Sequence, residues 1–138
     1  MMAIHAGGTF EVKITPQPPG DKAEGPTVGR MSLDKQFHGD LEATSKGEML
    51  AVGTAVKGSA GYVAMEQVTG TLHGRRGTFA LQHTGTLTRG AAQLSVTVVP
   101  DSGTDQLAGL AGQMTIEIDD GQHSYDLEYT LPSTSATR

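Results

Sequence analysis

Apolar and polar residues alternate along most of this chain, and the alternation is broken by glycine-containing turns rather than by helical spacing. The clearest stretch comes last. Met114, Ile116 and Ile118 precede Asp120-Gly121, and His123, Tyr125, Leu127 and Tyr129 follow it. Successive side chains of a strand point to opposite faces, and Asp-Gly is a strong signal for a two-residue hairpin turn. About that turn Ile118 faces His123, Ile116 faces Tyr125 and Met114 faces Leu127. Thr115, Glu117, Asp119, Ser124, Asp126 and Glu128 take the opposite side. An apolar face and a wet face fix the register, because a slip of one residue would exchange them.

Extended along the chain, this pattern predicts eight strands: about Thr9–Thr15, Arg30–Thr44 with a kink at Gly39, Glu48–Val56 after a turn at Lys46-Gly47, Gly61–Leu72, Thr78–Leu87, Ala92–Val99, Met114–Asp119 and Gln122–Leu131. The Pro/Gly-rich stretch from Pro16 to about Val28 reads as a loop too long for a tight hairpin. Asp101–Gly112 reads as a second loop with one helical turn, tucking Leu107 and Leu110 over a barrel end. Nineteen glycines in 138 residues, about twice the usual share of roughly 7%, suit many turns and bulges. The expected fold is all-β with little helix: an eight-stranded antiparallel up-and-down barrel, calycin-like, closed because closure removes exposed edges. The length fits a single domain over 1–138, with an ordered core of about 9–131 and a flexible tail over 132–138.

Composition excludes several functions. The chain has no cysteine, so disulfides and thiolate-ligated metals are absent. A net charge of −5 argues against nucleic acid, and six aromatics without tryptophan leave little stacking surface. Arg75-Arg76 is the only adjacent basic pair and reads as a solvated hairpin tip. No apolar run reaches the length of about 20 residues that spans a bilayer, and Met1–Gly8 lacks a signal-peptide pattern. The expectation is a cytoplasmic protein without membrane or nucleic-acid partners.

Two further turns orient the remaining candidates. With Gly74-Arg75 as a turn, Phe79 faces Gly70, Leu81 faces Val68 and His83 faces Glu66. With Arg89-Gly90 as the next, His83 faces Val96, Leu81 faces Val98 and Gly85 faces Leu94. Both turns put Phe79, Leu81, His83, Val68, Val96 and Val98 on one wall, and the turn between strands three and four is open by one residue. The result is an apolar wall carrying Glu66 beside His83. A buried carboxylate is costly alone and tends to take up a proton, and a neighbouring imidazole relieves this by a charge-assisted hydrogen bond. Glu66 and His83 are therefore the candidate catalytic pair for proton transfer near neutral pH; the alternative is a satisfied pair that pins the strands. Tyr62, Phe79, Leu81, Val96, Tyr125 and Tyr129 are the candidate ligand-binding residues.

The histidines His5, His38, His73, His83 and His123 show no H-x-H, H-x-x-x-H or H-E-x-x-H spacing, and a third ligand beside Glu66 and His83 is missing, so no metal site is expected. Nucleophile elbows, P-loops and dinucleotide fingerprints are absent. Val63 and Met65, with Ala80 beside them, fall on the outer side of strand four, and apolar residues there mark either an oligomer interface or ordinary scattered surface apolars.

Gly77-Thr78-Phe79 leading to Gln82-His83, then Ser102-Gly103 with Leu107-Ala108-Gly109 and Gly112, then His123-Ser124-Tyr125 with Leu127-Glu128-Tyr129, together resemble a bacterial domain-of-unknown-function family of small stand-alone proteins. The resemblance runs from about Phe10 to Leu131. It implies an eight-stranded allene-oxide-cyclase-like barrel and a homo-oligomer. The wider fold group includes plant allene oxide cyclases, dirigent proteins and natural-product cyclases, in which an apolar cavity shapes a reactive substrate without a cofactor. None of their catalytic positions matches a residue of this chain. Three readings follow: a cofactor-free isomerase or cyclase using Glu66 and His83, a non-catalytic carrier of a small apolar ligand, and a filled barrel acting through its outer face as a structural or partner-binding module. The loops Pro16–Thr27 and Asp101–Gly112 are the candidate lids.

Overall fold

The computed structural model describes residues 3–16 and 28–132. Among them are eight strands: β1 (Ile4–Pro16), β2 (Gly29–Gly39), β3 (Leu41–Gly53), β4 (Ala60–Leu72), β5 (Arg75–Thr88), β6 (Ala91–Val98), β7 (Ala111–Asp119) and β8 (Gln122–Thr130). Each pairs antiparallel with its sequence neighbour, and β8 returns to β1, closing the expected up-and-down barrel. One 3-10 turn (Asp105–Leu107) is the only helix among the described residues, and none there is long and apolar enough to cross a membrane.

Three hairpins share one turn chemistry. His73-Gly74, Arg89-Gly90 and Asp120-Gly121 all have positive φ at both positions, as a type I′ turn requires, with glycine second each time. The last two registers are those expected from the sequence. The first is displaced: the turn is His73-Gly74, not Gly74-Arg75, so Glu66 pairs with Leu81 and His83 with Ala64. The displacement moves each pairing by two residues, which preserves the face. Glu66 and His83 still point inward, as diagonal rather than direct neighbours.

The second and third strands differ more. The expected bend at Gly39 is a true corner: β2 ends there, Asp40 links the strands, and β3 begins at Leu41 and runs straight through Lys46-Gly47. Gly39 has φ +108°, a conformation that side chains resist. The Tyr125 hydroxyl locks the corner, accepting from the Leu41 N–H at 3.0 Å and lying 2.9 Å from the His38 carbonyl. The Asp40 carboxylate accepts from the Gly7 N–H at 2.9 Å. A Lys-Gly pair has no special claim to a turn, whereas this corner is satisfied from two other strands, β1 and β8.

The core lies toward the end that carries the Gly39 corner and the His73-Gly74 turn. Phe37, Leu41, Val68, Leu72, Phe79, Leu81 and Leu127 are buried there. The Asp101–Leu110 connection folds over this end and buries Leu107 and Leu110, as the sequence suggested. The chain after β6 also takes up the edge of β5 that β6 no longer reaches: the Val99 N–H donates to the Ala80 carbonyl and the Thr104 N–H to the Thr78 carbonyl, each at 2.9 Å. The Asp101–Leu110 connection therefore caps the filled end and is not a lid for the other. The proposed lid over Pro16–Thr27 falls, after Pro16, outside the described residues.

Candidate functional site

At the opposite end the described residues leave the interior unfilled. A cavity of ≈ 500 Å³ opens there, reaching down to Lys35 and His83. Its walls come from all eight strands, with Val12, Ile14, Leu33, Met49, Leu94 and Ile116 among them. Ile14, Leu87, Leu94 and Ile118 occupy inward positions yet remain exposed, with 66% of Ile118 accessible. The wall is also incomplete on one side. The β6–β7 ladder consists of two partner pairs, Val96 with Met114 and Thr97 with Gln113. Between Ala91–Ser95 and Thr115–Asp119 no ladder joins the strands.

The floor of this cavity is a polar cluster from four consecutive strands. Glu66 on β4 is 2% exposed. Its Oε2 accepts from Lys35 Nζ at 2.8 Å and from His83 Nε2 at 2.5 Å; its Oε1 accepts from Ser45 Oγ at 2.6 Å. Lys35 and Ser45 are direct partners across β2 and β3. Gly47 lies opposite Glu66, and a Cβ on it would sit 2.1 Å from the Met65 carbonyl and 2.6 Å from Glu66 Cα. The missing side chain lets β3 and β4 approach where the carboxylate is held. The Lys35 ammonium also lies 5.0 Å from the Phe10 ring centroid and 5.8 Å from that of Phe37, within cation–π range.

These contacts reverse the expected titration of Glu66. Burial pushes the carboxyl pKa up, but the hydrogen bond from His83, the Lys35 charge and the Lys35 and Ser45 hydrogen bonds together outweigh it, bringing it to about 2. Glu66 is a fixed anion, not a group that exchanges protons near neutrality. Its role toward His83 is positional: an ionised carboxylate only accepts, so the proton of Nε2 is committed to it. The other ring nitrogen, Nδ1, has no hydrogen-bond partner among the described residues. No buried side-chain nitrogen or oxygen among the described residues lacks one, so Nδ1 belongs to the small part of His83 that meets the cavity. Tyr62 leans over the same floor, its ring 6.4 Å from that of His83. Burial, then the Glu66 charge, raises its pKa. Gly85 makes room for it, since a Cβ there would sit 2.3 Å from the Tyr62 ring.

Of the ligand-lining residues expected from the sequence, Tyr62 lines the cavity. Phe79, Leu81, Val96, Tyr125 and Tyr129 do not: they are buried in the packed core, because inward direction alone does not separate the filled half from the open one. Tyr129 is tied at the filled end to His73 Nδ1, at 2.5 Å. Lys35 and Ser45 escaped the sequence reading although a signal existed. Lys35 interrupts the apolar face Leu33-Lys35-Phe37, and Ser45 follows Leu41 and Ala43. The misplaced turn at Lys46-Gly47 hid both. Among the described residues no group of three or more histidines and carboxylates is arranged to hold a metal ion.

A closed antiparallel barrel with one packed half, one open apolar half and a charged cluster between them is a cavity-bearing β-barrel. The chain belongs to the family described as "Protein of unknown function (DUF3224)", which matches residues 6–129. It is similar to the crystal structure of a protein with unknown function from that family in Shewanella oneidensis MR-1: 49% identical, covering 95% of this chain and 99% of that one, with a TM-score of 0.88. No curated protein matches.

Proposed function

We propose that the open half of the barrel binds a small, largely apolar molecule whose polar end meets His83. The supporting observation is the ≈ 500 Å³ opening with apolar walls over one buried polar floor, a size and composition usual for ligand sites. A barrel that acted only through its outer surface would have no use for inward apolar residues left uncovered. The test is uptake of the neutral fluorescent dye aminoanthracene. Binding by the wild-type chain is expected, and Ala51→Trp, which fills the lumen from β3, is expected to abolish it without lowering the melting temperature. Equal uptake by Ala51→Trp would refute the reading.

The held orientation of His83 favours a second reading: cofactor-free isomerisation or cyclisation, with Nδ1 accepting and returning a proton while Glu66 keeps the ring aligned. In that case Glu66→Gln slows turnover by misaligning His83, whereas His83→Leu removes the base. Turnover of an identified substrate that survived both would exclude it. Self-association is proposed through the outer face of β3 and β4. Leu50 and Val63 are direct partners there, and Val63 and Met65 are each half exposed. Light scattering of Val63→Lys/Met65→Glu against wild type tests this, with a smaller assembly expected.

A further inference from the structure

The floor of the cavity specifies the ligand's chemistry more narrowly than its walls do. Lys35 and Glu66 are opposite charges 2.8 Å apart, so together they present no net charge. An anion entering the cavity would compete with Glu66 for an ammonium that is already matched. A cation would find both Glu66 oxygens occupied by Ser45, Lys35 and His83. Among the described residues no carboxylate lines the cavity, and Lys35 is the one lysine or arginine in its wall. What remains unsatisfied among the described residues is Nδ1 of His83, an acceptor in the neutral ring because Nε2 carries the proton. The Tyr62 ring lies 6.4 Å from that of His83, and its hydroxyl makes no hydrogen bond among the described residues. His123 also borders the cavity, but at the rim, its ring packed 5.1 Å from that of Phe10.

We infer that the ligand is uncharged and carries an O–H donor on an apolar body (an alcohol, phenol or enol), its hydrogen directed at Nδ1 of His83. This rests on the binding reading above. It deepens that reading by excluding fatty carboxylates and amines, which apolar walls alone would accept.

Four matched probes, naphthol, its methyl ether, naphthalene and naphthoate, separate the possibilities by displacement of aminoanthracene near neutral pH. Naphthol is expected to bind about fivefold tighter than its methyl ether, the value of one net hydrogen bond, with naphthoate weaker than naphthol. His83→Leu should erase the naphthol advantage while naphthalene still binds, and His123→Phe should leave it in place. On wild-type protein, naphthol and not the methyl ether should move the nitrogen chemical shift of His83 Nδ1, a readout independent of how the variants fold. Equal affinities for naphthol and ether, or naphthoate binding tightest, would overturn the inference while leaving lumen binding intact. Failure of aminoanthracene to bind at all would overturn both.

Discussion

Both ends of this barrel are made by the same eight strands, yet one is solid and the other hollow. At the filled end, inward residues meet Leu107 and Leu110 from the β6–β7 connection, and that connection hydrogen-bonds the edge of β5 that β6 has left. At the open end the corresponding gap, between β6 and β7, has no such cover among the described residues, and Leu94 and Ile118 remain exposed beside the lumen. Pointing inward is thus a property of register, whereas burial depends on what the connections between strands bring back over the end. Stability and binding are separated in the same way along the barrel axis.

Substitutions should divide along that axis. Phe79→Ala, in the filled half, is expected to cost about 3–5 kcal/mol by leaving a cavity in a packed core, read as a lowered denaturant midpoint. Lys35→Met, at the boundary, removes one partner of a buried ion pair and is expected to cost about 3 kcal/mol or more.

The same boundary gives a pH signature. Glu66 has a folded pKa of about 2 against an ordinary 4.5. Its ionised form is therefore favoured by folding, with a contribution of about 3 kcal/mol that is fully present above pH 4.5 and is lost as pH falls toward 2. Glu66→Gln should flatten the acid limb of the stability profile over that window. An unchanged slope would mean that the cluster is not holding the carboxylate ionised. Smaller again is Gly85→Ala, where the new methyl displaces the Tyr62 ring. Dye affinity should fall severalfold while stability drops by about 1 kcal/mol. Least affected is Leu94→Ser, within about 0.5 kcal/mol of wild type, as for an exposed site, but with weaker dye binding. A large destabilisation there would mean that the open half is packed after all.

The barrel was legible in the sequence because its information is local: period-two alternation and turns such as Arg89-Gly90 and Asp120-Gly121 set pairings one hairpin at a time. Glu66 and His83 were legible for the same reason, and they survived a misplaced turn because the error was even. Lys35 and Ser45 were not, because finding them needed two successive hairpins read correctly, β2 to β3 and β3 to β4. The direction of the Glu66 titration was lost with them, since the Lys35 charge and the Lys35 and Ser45 hydrogen bonds add to that of His83 in outweighing burial. Which inward residues line space and which fill it was not legible either: Tyr125 and Tyr62 have the same inward parity, and only the three-dimensional path of the connections distinguishes them.

The two-pair ladder between β6 and β7 has a mechanical consequence. A ring of hydrogen-bonded strands opens where it is held least, and here that place lies beside the lumen rather than across the core. Parting Val96 from Met114 and Thr97 from Gln113 would unzip one seam of the wall while the capped end still held the circle together.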